Sequence, residues 1–368
     1  MSSEKLTHLI KNKIENSGGK ISFAEFMALA LYAPDLGYYN TQTPKFGKEG
    51  DFITAPEISP LFAQCVAEPF IQVLKKIPEG SILELGAGSG IFAKNILLAL
   101  AAAKQLPEQY YILEISPALR EQQKKLLSTC DETIFSRVVW INQHPENFSG
   151  VIFANELFDA LSVHCFAIEN GIKERCVAWE NNQFVFISTE PTIELTKKIT
   201  PLNLPEGYRS EINFTSEEKI QTIARSLKQG VFLIMDYGYG RNEYYHPDRS
   251  CGTLMCFYQH HRHDNPFVHV GLQDITAHVD FTSIAENATA CGMSLLGYTT
   301  QAAFLMDCGL LEKPFSSLSE IERIHQTQGI KKLILPSEMG EIVKVMAVSK
   351  NFSDPLIGFR THDRKRDL

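Results

Sequence analysis

One glutamate and three glycines at fixed spacing form the stretch with the clearest chemical potential, Glu84-Leu-Gly-Ala-Gly-Ser-Gly90. The apolar residues 81–85 predict a buried strand, and the spacing from residue 91 onward predicts a helix. Glycine tolerates a positive φ and lets a ligand approach bare backbone. A strand, a glycine turn and a helix begin a doubly wound nucleotide-binding sheet. Because Glu84 interrupts the apolar strand, its carboxylate needs a partner such as an ammonium group or backbone N–H groups.

A second acid, Glu114, ends another predicted strand about 24 residues past Gly90. At this place a carboxylate can accept both ribose hydroxyls of an adenosine. Alternatively, it is an ordinary acid ahead of a helix that begins at Ser116-Pro117. The pattern E-x-G-x-G-x-G resembles the fingerprint of S-adenosyl-L-methionine (SAM) proteins more than the G-x-G-x-x-G of NAD proteins. The sequence therefore predicts SAM as the cofactor, held by these residues: Glu84, Gly86, Ala87, Gly88, Gly90, Glu114 and Ile115.

Two more predicted strands, residues 150–156 and 230–236, end in polar side chains. The carboxyl ends of parallel strands line the ligand crevice of such a sheet, so Asn155 is expected to contact the cofactor. Three acids are candidate catalytic residues: Glu156, Asp159 and Asp236. If the segment after the strand is helical, the first two share a face. The alternative is that Glu156 contacts the cofactor and Asp159 caps a helix.

An α/β sheet covered by helices would bring these residues together, and the spacing of apolar, capping and turn residues predicts such helices and strands. Helices are expected at 5–16, at 23–31 behind a Ser22/Glu25 capping box, and at 61–75. Alternating apolar residues between 163 and 189, broken by Asn-Gly and Asn-Asn, predict a three-stranded β insertion. The expected segments are as follows: 1–76 helical with a lid loop, 77–162 first half of the core, 163–214 β-rich insertion, 215–239 core, 240–271 irregular substrate-side loop, 272–350 second half of the core, and 351–368 frayed tail.

Composition and charge exclude several classes of protein. The chain has 368 residues and a net charge of −8, which argues against a nucleic-acid binder with its usual basic face. No apolar run reaches the length needed to span a bilayer. The eight cysteines are scattered without a C-x-x-C pair, so reduced thiols and a soluble, cytoplasmic protein are expected. The histidines at 260, 261 and 263 have no acid or cysteine partner at ligand spacing, so no metal is predicted.

The chain resembles the MidA-type family of SAM-dependent methyltransferases over most of its length. Six stretches carry the resemblance: Gly37-Tyr-Tyr, Gly50-Asp-Phe-Ile-Thr-Ala-Pro-Glu57, Glu84 to Gly90, Asn155-Glu-Leu-Phe-Asp-Ala-Leu161, Asp236-Tyr-Gly238 and His278-Val-Asp-Phe281. That family includes a mitochondrial complex I assembly factor that methylates an arginine of a complex I subunit. The resemblance implies a class I methyltransferase (Rossmann-like) core of seven strands, the last antiparallel, with SAM in the crevice.

The resemblance also implies roles for residues outside the glycine turn. It makes Thr54, Pro56 and Glu57 cofactor contacts within a lid, although a structural wrap explains the same loop. It places Asp51, His278 and Asp280 at the substrate, and core packing beside a helix start is the alternative for the last two. The implied partner is a protein substrate and, by analogy with the family, a respiratory-complex subunit. A SAM-binding assembly factor with little turnover, or a small-molecule methyltransferase, are the competing functions.

Overall fold

The computed structural model describes residues 2–41, 45, 47, 50–51, 53–313 and 319–368. Residues 42–44, 46, 48, 49 and 52 of the predicted lid segment therefore lie outside the described part. The chain divides into two units, each built from separate segments. The first comprises Met1–Phe52, Asp159–Glu218 and Arg241–Val279, and the second comprises Ile53–Phe158, Lys219–Gly240 and Asp280–Leu368.

The second unit is organised around a mixed sheet. Seven strands form its continuous path: Ser81–Leu85 (β1), Tyr110–Leu113 (β2), Val138–Ile141 (β3), Phe148–Asn155 (β4), Leu227–Tyr239 (β5), Ser294–Thr300 (β6) and Val343–Lys350 (β7). Their order is β6-β7-β5-β4-β1-β2-β3. Strands β1 to β5 are parallel to one another, whereas β7 is antiparallel to both of its neighbours. The topology is that of the expected class I core, and a two-residue strand, Val279–Asp280, makes the sheet eight-stranded rather than seven-stranded.

Helices cover this sheet and bury its apolar faces. The helices that lie within the second unit are Ala55–Ile58, Pro60–Lys76, Ile91–Ala102, Pro117–Leu127, Glu132–Phe135, Phe281–Ala290, Gln301–Asp307, Glu320–Ile334 and Met339–Ile342, with 3-10 turns at Leu310–Glu312 and Lys365–Asp367. Phe92 stacks on Phe153 of β4 with ring centroids 4.4 Å apart, and Phe70 meets the same ring edge-on. All five residues of β1, including Glu84, are buried, as expected for a central parallel strand.

The first unit contains the predicted β insertion. Its five-stranded sheet is built from Ile21–Ser22, His164–Ile168, Ile172–Glu180, Gln183–Thr189 and Arg209–Ile212. The three strands expected between 163 and 189 are present, and Asn170, Gly171, Asn181 and Asn182 adopt the positive φ that tight hairpin turns need. The helices of this unit are Ser2–Asn16, Phe23–Tyr32, Ile193–Ile199 and Arg241–Tyr244, with 3-10 turns at Tyr38–Asn40, Thr200–Leu202 and Pro247–Arg249; Phe214–Ser226 belongs to both units.

Three local expectations are wrong. The segment 240–271 is not irregular, because Met255–Tyr258 and His261–His263 pair as a hairpin within a three-stranded sheet. The residues after 350 are not frayed: Leu356 and Phe359 are buried, and the Thr299 hydroxyl donates to the carbonyl of His362 at 2.6 Å. The Thr215-Ser-Glu-Glu sequence predicts a helix capped by Thr215, but the helix begins at Phe214, and the side chain of Asn213 accepts from the backbone N–H of Ser216 at 2.8 Å.

The close approach of β4 and β5 gives a test of the sheet. Gly230 has a φ of +139°, and a Cβ atom there would lie 1.9 Å from the carbonyl oxygen of its neighbour Gly150. Gly230→Ala should therefore lower the free energy of unfolding by about 3 kcal/mol or more, measured by urea denaturation. Gly292→Ala is the control, since its φ is +79° but no atom lies within 4 Å, so about 1–2 kcal/mol is expected. Equal losses in the two variants would contradict the packing argument.

Candidate cofactor and acceptor site

The glycine turn follows β1 in the geometry that its sequence predicts. Gly86, Gly88 and Gly90 have φ values of +67°, +52° and +85°. A Cβ atom on Gly86 would come 2.9 Å from the side chain of Leu157, and one on Gly90 would come 3.1 Å from the side chain of Gln123. Gly90 precedes the helix Ile91–Ala102 and gives it no side-chain cap. Bare backbone therefore lies at the helix start, where N–H groups can face a polar ligand.

Glu84 finds its partner within the chain. It is 4% exposed, and the hydroxyl of Tyr110 on β2 donates to its Oε2 at 2.8 Å. Burial raises the pKa of Glu84 to about 8; the Tyr110 hydrogen bond opposes this shift and the charge of Glu114 adds to it. The sequence predicted an ammonium group or backbone N–H groups as the partner. The neighbouring strand supplies a hydroxyl instead, and the charge of Glu84 becomes sensitive to anything that binds beside it.

Glu114 lies directly after β2 and is 6% exposed. Its Oε1 accepts from the backbone N–H of Ser116 at 2.9 Å, and its Oε2 accepts from the side chain of Gln123 at 3.2 Å. Burial raises the pKa of Glu114, and these two hydrogen bonds oppose the shift. Ser116 also caps the helix Pro117–Leu127 through the N–H of Leu119, so the acid does stand at a helix start. Next to it, Ile115 is 62% exposed and presents an apolar flank.

The Thr54-Ala-Pro-Glu57 stretch forms hydrogen bonds to two other parts of the second unit, the glycine turn and the end of β4. It forms the short helix Ala55–Ile58, with Thr54 before it and Pro56 in its first turn. The backbone N–H of Ala55 donates to Oε1 of Glu156 at 3.0 Å, and Glu57 accepts a short hydrogen bond from the hydroxyl of Ser89. One turn of helix thereby connects the glycine turn to the end of β4.

The end of β4 combines an unusual backbone with an unsatisfied polar atom. Glu156 has a φ of +48°, in the left-handed region that non-glycine residues rarely adopt. The side-chain amide of Asn155 donates to Oε1 of Glu156 at 3.1 Å. The other end of that amide, Oδ1 of Asn155, is buried without a hydrogen-bond partner in the described part of the chain. Since an unpaired buried acceptor costs about 1–3 kcal/mol, this oxygen suits a donor such as the ammonium group of SAM, and the residues fit the predicted cofactor.

Asp236 on β5 is fully buried, and its carboxylate accepts hydrogen bonds from backbone N–H groups. Its Oδ2 accepts from the N–H groups of Leu157 and Phe158 at 3.0 and 2.7 Å, and its Oδ1 accepts from the N–H of Tyr237 at 2.8 Å. This carboxylate fixes the chain that leaves Glu156. The contacts favour a positioning role for Asp236 over the catalytic one that the sequence suggested.

The segment after Glu156 is not helical, so the shared helix face and the helix cap considered for Asp159 are both wrong. Asp159 lies in the first unit, where its carbonyl accepts from the N–H of Ala277. Asp280, in the second unit, caps the helix Phe281–Ala290 through the N–H of Ser283 at 3.1 Å. These contacts favour the structural alternative for Asp280, a position at a helix start, over a substrate contact.

Asp51 and His278, the other predicted substrate residues, lie in the first unit. Asp51 accepts from the Tyr38 hydroxyl at 2.7 Å and from the N–H of Gln259 at 2.6 Å. The N–H of His278 donates to the Thr253 hydroxyl at 3.0 Å. These bonds hold both residues in place within their unit.

Sequence reasoning missed a tyrosine–aspartate pair in the first unit. The hydroxyl of Tyr39 donates to Oδ1 of Asp274 at 3.0 Å. Burial raises the pKa of Asp274 to about 7, the Tyr39 and Ile275 hydrogen bonds oppose the shift, and the charge of Asp51 adds to it. The sequence around this aspartate, Gln273-Asp-Ile-Thr276, has one apolar residue and gives no clear signal of burial, so only the structure reveals the pair.

The described residues include neither a metal-ligating cluster nor a membrane-spanning helix. Within the described ranges no group of three or more His, Cys, Asp or Glu side chains could hold a metal ion. His260 lies at the tip of the hairpin formed by Met255–Tyr258 and His261–His263, with a φ of +63°. Among the described residues no helix is both long and apolar enough to cross a membrane.

Comparison with known proteins places the chain in context. A family model described as S-adenosyl-L-methionine-dependent methyltransferase matches residues 65–299. A protein of Burkholderia thailandensis solved bound to S-adenosyl-homocysteine is 37% identical, with a TM-score of 0.96 over 100% of this chain and 97% of its own. A native structure from the same organism gives a TM-score of 0.92 at the same identity, over 100% of this chain and 97% of its own.

Curated relatives include mitochondrial proteins named protein arginine methyltransferase NDUFAF7. The one from Danio rerio is 30% identical over 93% of this chain and 86% of its own, and the homolog from Drosophila melanogaster is 29% identical over 90% and 82%. The mitochondrial location in the names of these relatives contradicts the cytoplasmic location that the sequence analysis predicted. That expectation rested on scattered cysteines, and reduced thiols do not distinguish one reducing compartment from another.

The environment of Glu114 predicts its effect on binding. We expect Glu114 to accept the ribose hydroxyls, and Glu114→Ala would remove this charged acceptor, worth about 1.5–3 kcal/mol, so affinity for S-adenosyl-homocysteine should fall roughly 10- to 100-fold. Isothermal titration calorimetry measures this change. Glu108→Ala, an exposed glutamate ahead of the same strand, is the control and should bind as the wild type does. Unchanged affinity in Glu114→Ala would refute the assignment.

Glu84 predicts a pH dependence of stability in the ligand-free protein. Its folded pKa of about 8 lies above the value of about 4.3 expected in the unfolded chain. Its stabilising contribution is therefore complete below the unfolded pKa and is lost as the pH rises through the folded one. Glu84→Gln should gain Tm relative to the wild type from about pH 5 to about pH 8 and level off above. A Tm difference that stays constant with pH, as expected for Glu108→Gln, would contradict this.

Proposed function

The chain belongs to the S-adenosyl-L-methionine-dependent methyltransferase family, and we propose that it transfers the methyl group to an arginine side chain of a protein. The cofactor and the reaction class follow from the family. The arginine acceptor is supported by relatives that carry that activity in their names and cover most of this chain. The finer expectation, a respiratory-complex subunit as the acceptor, stays a prediction.

The second unit supplies the groups that would hold SAM, which when bound provides a methyl group on a positively charged sulfur. The glycine turn presents bare backbone at the start of the helix Ile91–Ala102, and Oδ1 of Asn155 can accept from a donor that the described chain does not provide. Glu114 retains acceptor capacity for hydroxyl groups beyond its bonds to Ser116 and Gln123. Positioning is the main task in a displacement reaction of this kind, because alignment of the reacting groups lowers the barrier.

The observation that carries the acceptor proposal is the backbone of Glu156. A left-handed conformation costs a non-glycine residue about 1–2 kcal/mol, and such strain clusters at functional sites. Here it is maintained by the bond from the N–H of Glu156 to the carbonyl of Met235 at 2.8 Å and by the hold of Asp236 on the next two N–H groups. The carboxylate of Glu156 is thus fixed at the carboxyl end of β4, where ligands of α/β sheets bind.

A carboxylate suits a guanidinium acceptor for two reasons. It accepts the planar fork of N–H groups, often in a bidentate pair. It can also take up the proton that the acceptor nitrogen loses as its lone pair forms the new N–C bond. The net charge of −8 further favours a basic polypeptide. We assign the proton-accepting role to Glu156. Asp159 is a candidate second acid for the acceptor. Three further residues are candidate substrate contacts: Asp51, His278 and Asp280.

Radiolabelled SAM tests the proposal. The wild type should label protein in an extract of cells that lack this chain, and mass spectrometry should find the label on arginine. Glu156→Gln should lower kcat about 100-fold or more, the contribution typical of a general base. Its affinity for S-adenosyl-homocysteine should stay close to the wild-type value. Glu146→Gln, an exposed acid ahead of β4, is the matched control and should keep wild-type kcat.

Three outcomes would overturn parts of this proposal. Wild-type rates in both Glu156→Gln and Asp159→Asn would exclude these two carboxylates as the groups that bind the guanidinium and accept its proton. Label on lysine, or only in the small-molecule fraction, would exclude an arginine acceptor. Absence of methylated protein, together with full rescue of cells by Gly88→Val, would identify a binding role without turnover.

A further inference from the structure

A glutamine lies on the buried face of the helix Pro117–Leu127. Gln123 is 0% exposed and occupies the stripe between Leu119 and Leu127, four residues from each. Glutamine is usually exposed, and the helical period calls for an apolar residue at this position. A buried amide is retained where its hydrogen bonds are satisfied.

Three hydrogen bonds satisfy this amide and fix its orientation. Its Nε2 donates to the carbonyl of Gly88 at 2.9 Å and to Oε2 of Glu114 at 3.2 Å. Its Oε1 accepts from the indole N–H of Trp140 at 3.0 Å. A flipped amide would set its oxygen against two acceptors and its nitrogen against a donor, so only the observed orientation satisfies the network. One side chain thus connects the glycine turn, the acid after β2 and strand β3.

We propose that Gln123 is a positioning residue for SAM, which keeps Glu114 as an ionised acceptor for the ribose hydroxyls and holds the glycine turn at a fixed distance from it. The proposal rests on SAM as the cofactor and does not depend on the identity of the methyl acceptor. Gln123 acts through Glu114 and Gly88 and does not itself need to touch the ligand. The side chain also packs against the turn, because a Cβ atom on Gly90 would meet its Cγ at 3.1 Å.

The lone pairs of Glu114 explain why the donor matters. In the ionised carboxylate each oxygen has two acceptor positions. One on Oε1 takes the N–H of Ser116 and one on Oε2 takes Nε2 of Gln123. The backbone N–H of Ile115 also donates to this carboxylate. The remaining acceptor capacity is what the hydroxyls of a ribose would use. A protonated carboxyl group would use one oxygen as a donor and lose this match. Burial favours the protonated form, and Gln123 opposes it.

The resulting prediction concerns pH as well as affinity. Ribose binding requires ionised Glu114, so affinity is present above its pKa and is lost as the pH falls through it. Removing the Gln123 donor raises that pKa, so affinity should be lost at a higher pH. The charged and titratable groups that face Glu114 are Glu84 on β1 and Arg120 on the helix of Gln123. The Glu84→Gln substitution removes the titrating carboxyl group of Glu84, so measurements in that background report the titration of Glu114 without it.

The test compares Gln123→Met with the wild type. Methionine has a similar length and cannot donate, so the affinity for S-adenosyl-homocysteine should fall about tenfold near neutral pH. The midpoint of the affinity loss on acidification should move to a higher pH. Calorimetric titrations from about pH 5 to about pH 8.5 measure both. Trp140→Phe, which removes the donor that orients the amide, should act in the same direction with a smaller effect.

Two controls separate positioning from packing. Leu119→Met disturbs the same buried helix face and leaves the hydrogen bonds from Gln123 to Glu114 and Gly88 in place, so its pH profile should match that of the wild type. In a Glu114→Gln background, Gln123→Met should cause no further shift with pH. A wild-type affinity in Gln123→Met, a loss by the same factor at every pH, or the same loss in Leu119→Met would each overturn the proposal. Failure of arginine methylation would leave it intact, because binding is the readout.

Discussion

The second unit depends on the desolvation of carboxylates at the ends of parallel strands. A carboxylate that leaves water is stabilised only where donors replace its hydration. Glu84, Glu114 and Asp236 are each at least nine-tenths buried, and each accepts hydrogen bonds from a neighbouring element. The donors differ: a tyrosine hydroxyl, a backbone and side-chain amide, and three backbone N–H groups. Each acid is held in one orientation as a consequence, so this edge of the sheet is arranged before any ligand arrives.

The bonds that satisfy these acids also connect loops that are far apart in sequence. Glu57 takes the hydroxyl of Ser89 in the glycine turn, while the N–H of Ala55 binds Glu156 after β4. Gln123 continues the network to the other side of the turn. The turn is therefore fixed from two directions, by a helix that precedes the sheet and by one that follows β2. A preorganised site loses less entropy when a ligand binds, which is why such supports affect affinity without touching the ligand.

The sequence predicts the local part of this arrangement well. The bounds of β1 and of Pro117–Leu127, the Ser22 capping box and the hairpin turns at Asn170 and Asn181 follow from period, caps and turn residues that act within a few positions. Pairings across the fold were missed, because a pattern shows that Glu84 needs a donor but not that Tyr110 provides it. Gln123 carried a readable signal, an amide in an apolar stripe, that only helical spacing reveals.

The acids predicted as a catalytic group separate by environment. Asp236 has no exposed surface, and its carboxylate accepts from three backbone N–H groups, which fixes the backbone that follows Glu156. Glu156 is only partly buried and stands in a conformation that its own residue type disfavours. A strained residue persists where the surrounding contacts over-determine it, and Asp236 supplies those contacts. The two acids therefore differ in what they do in the fold: Asp236 maintains the strained backbone, and Glu156 is the residue whose carboxylate that backbone holds at the carboxyl end of β4.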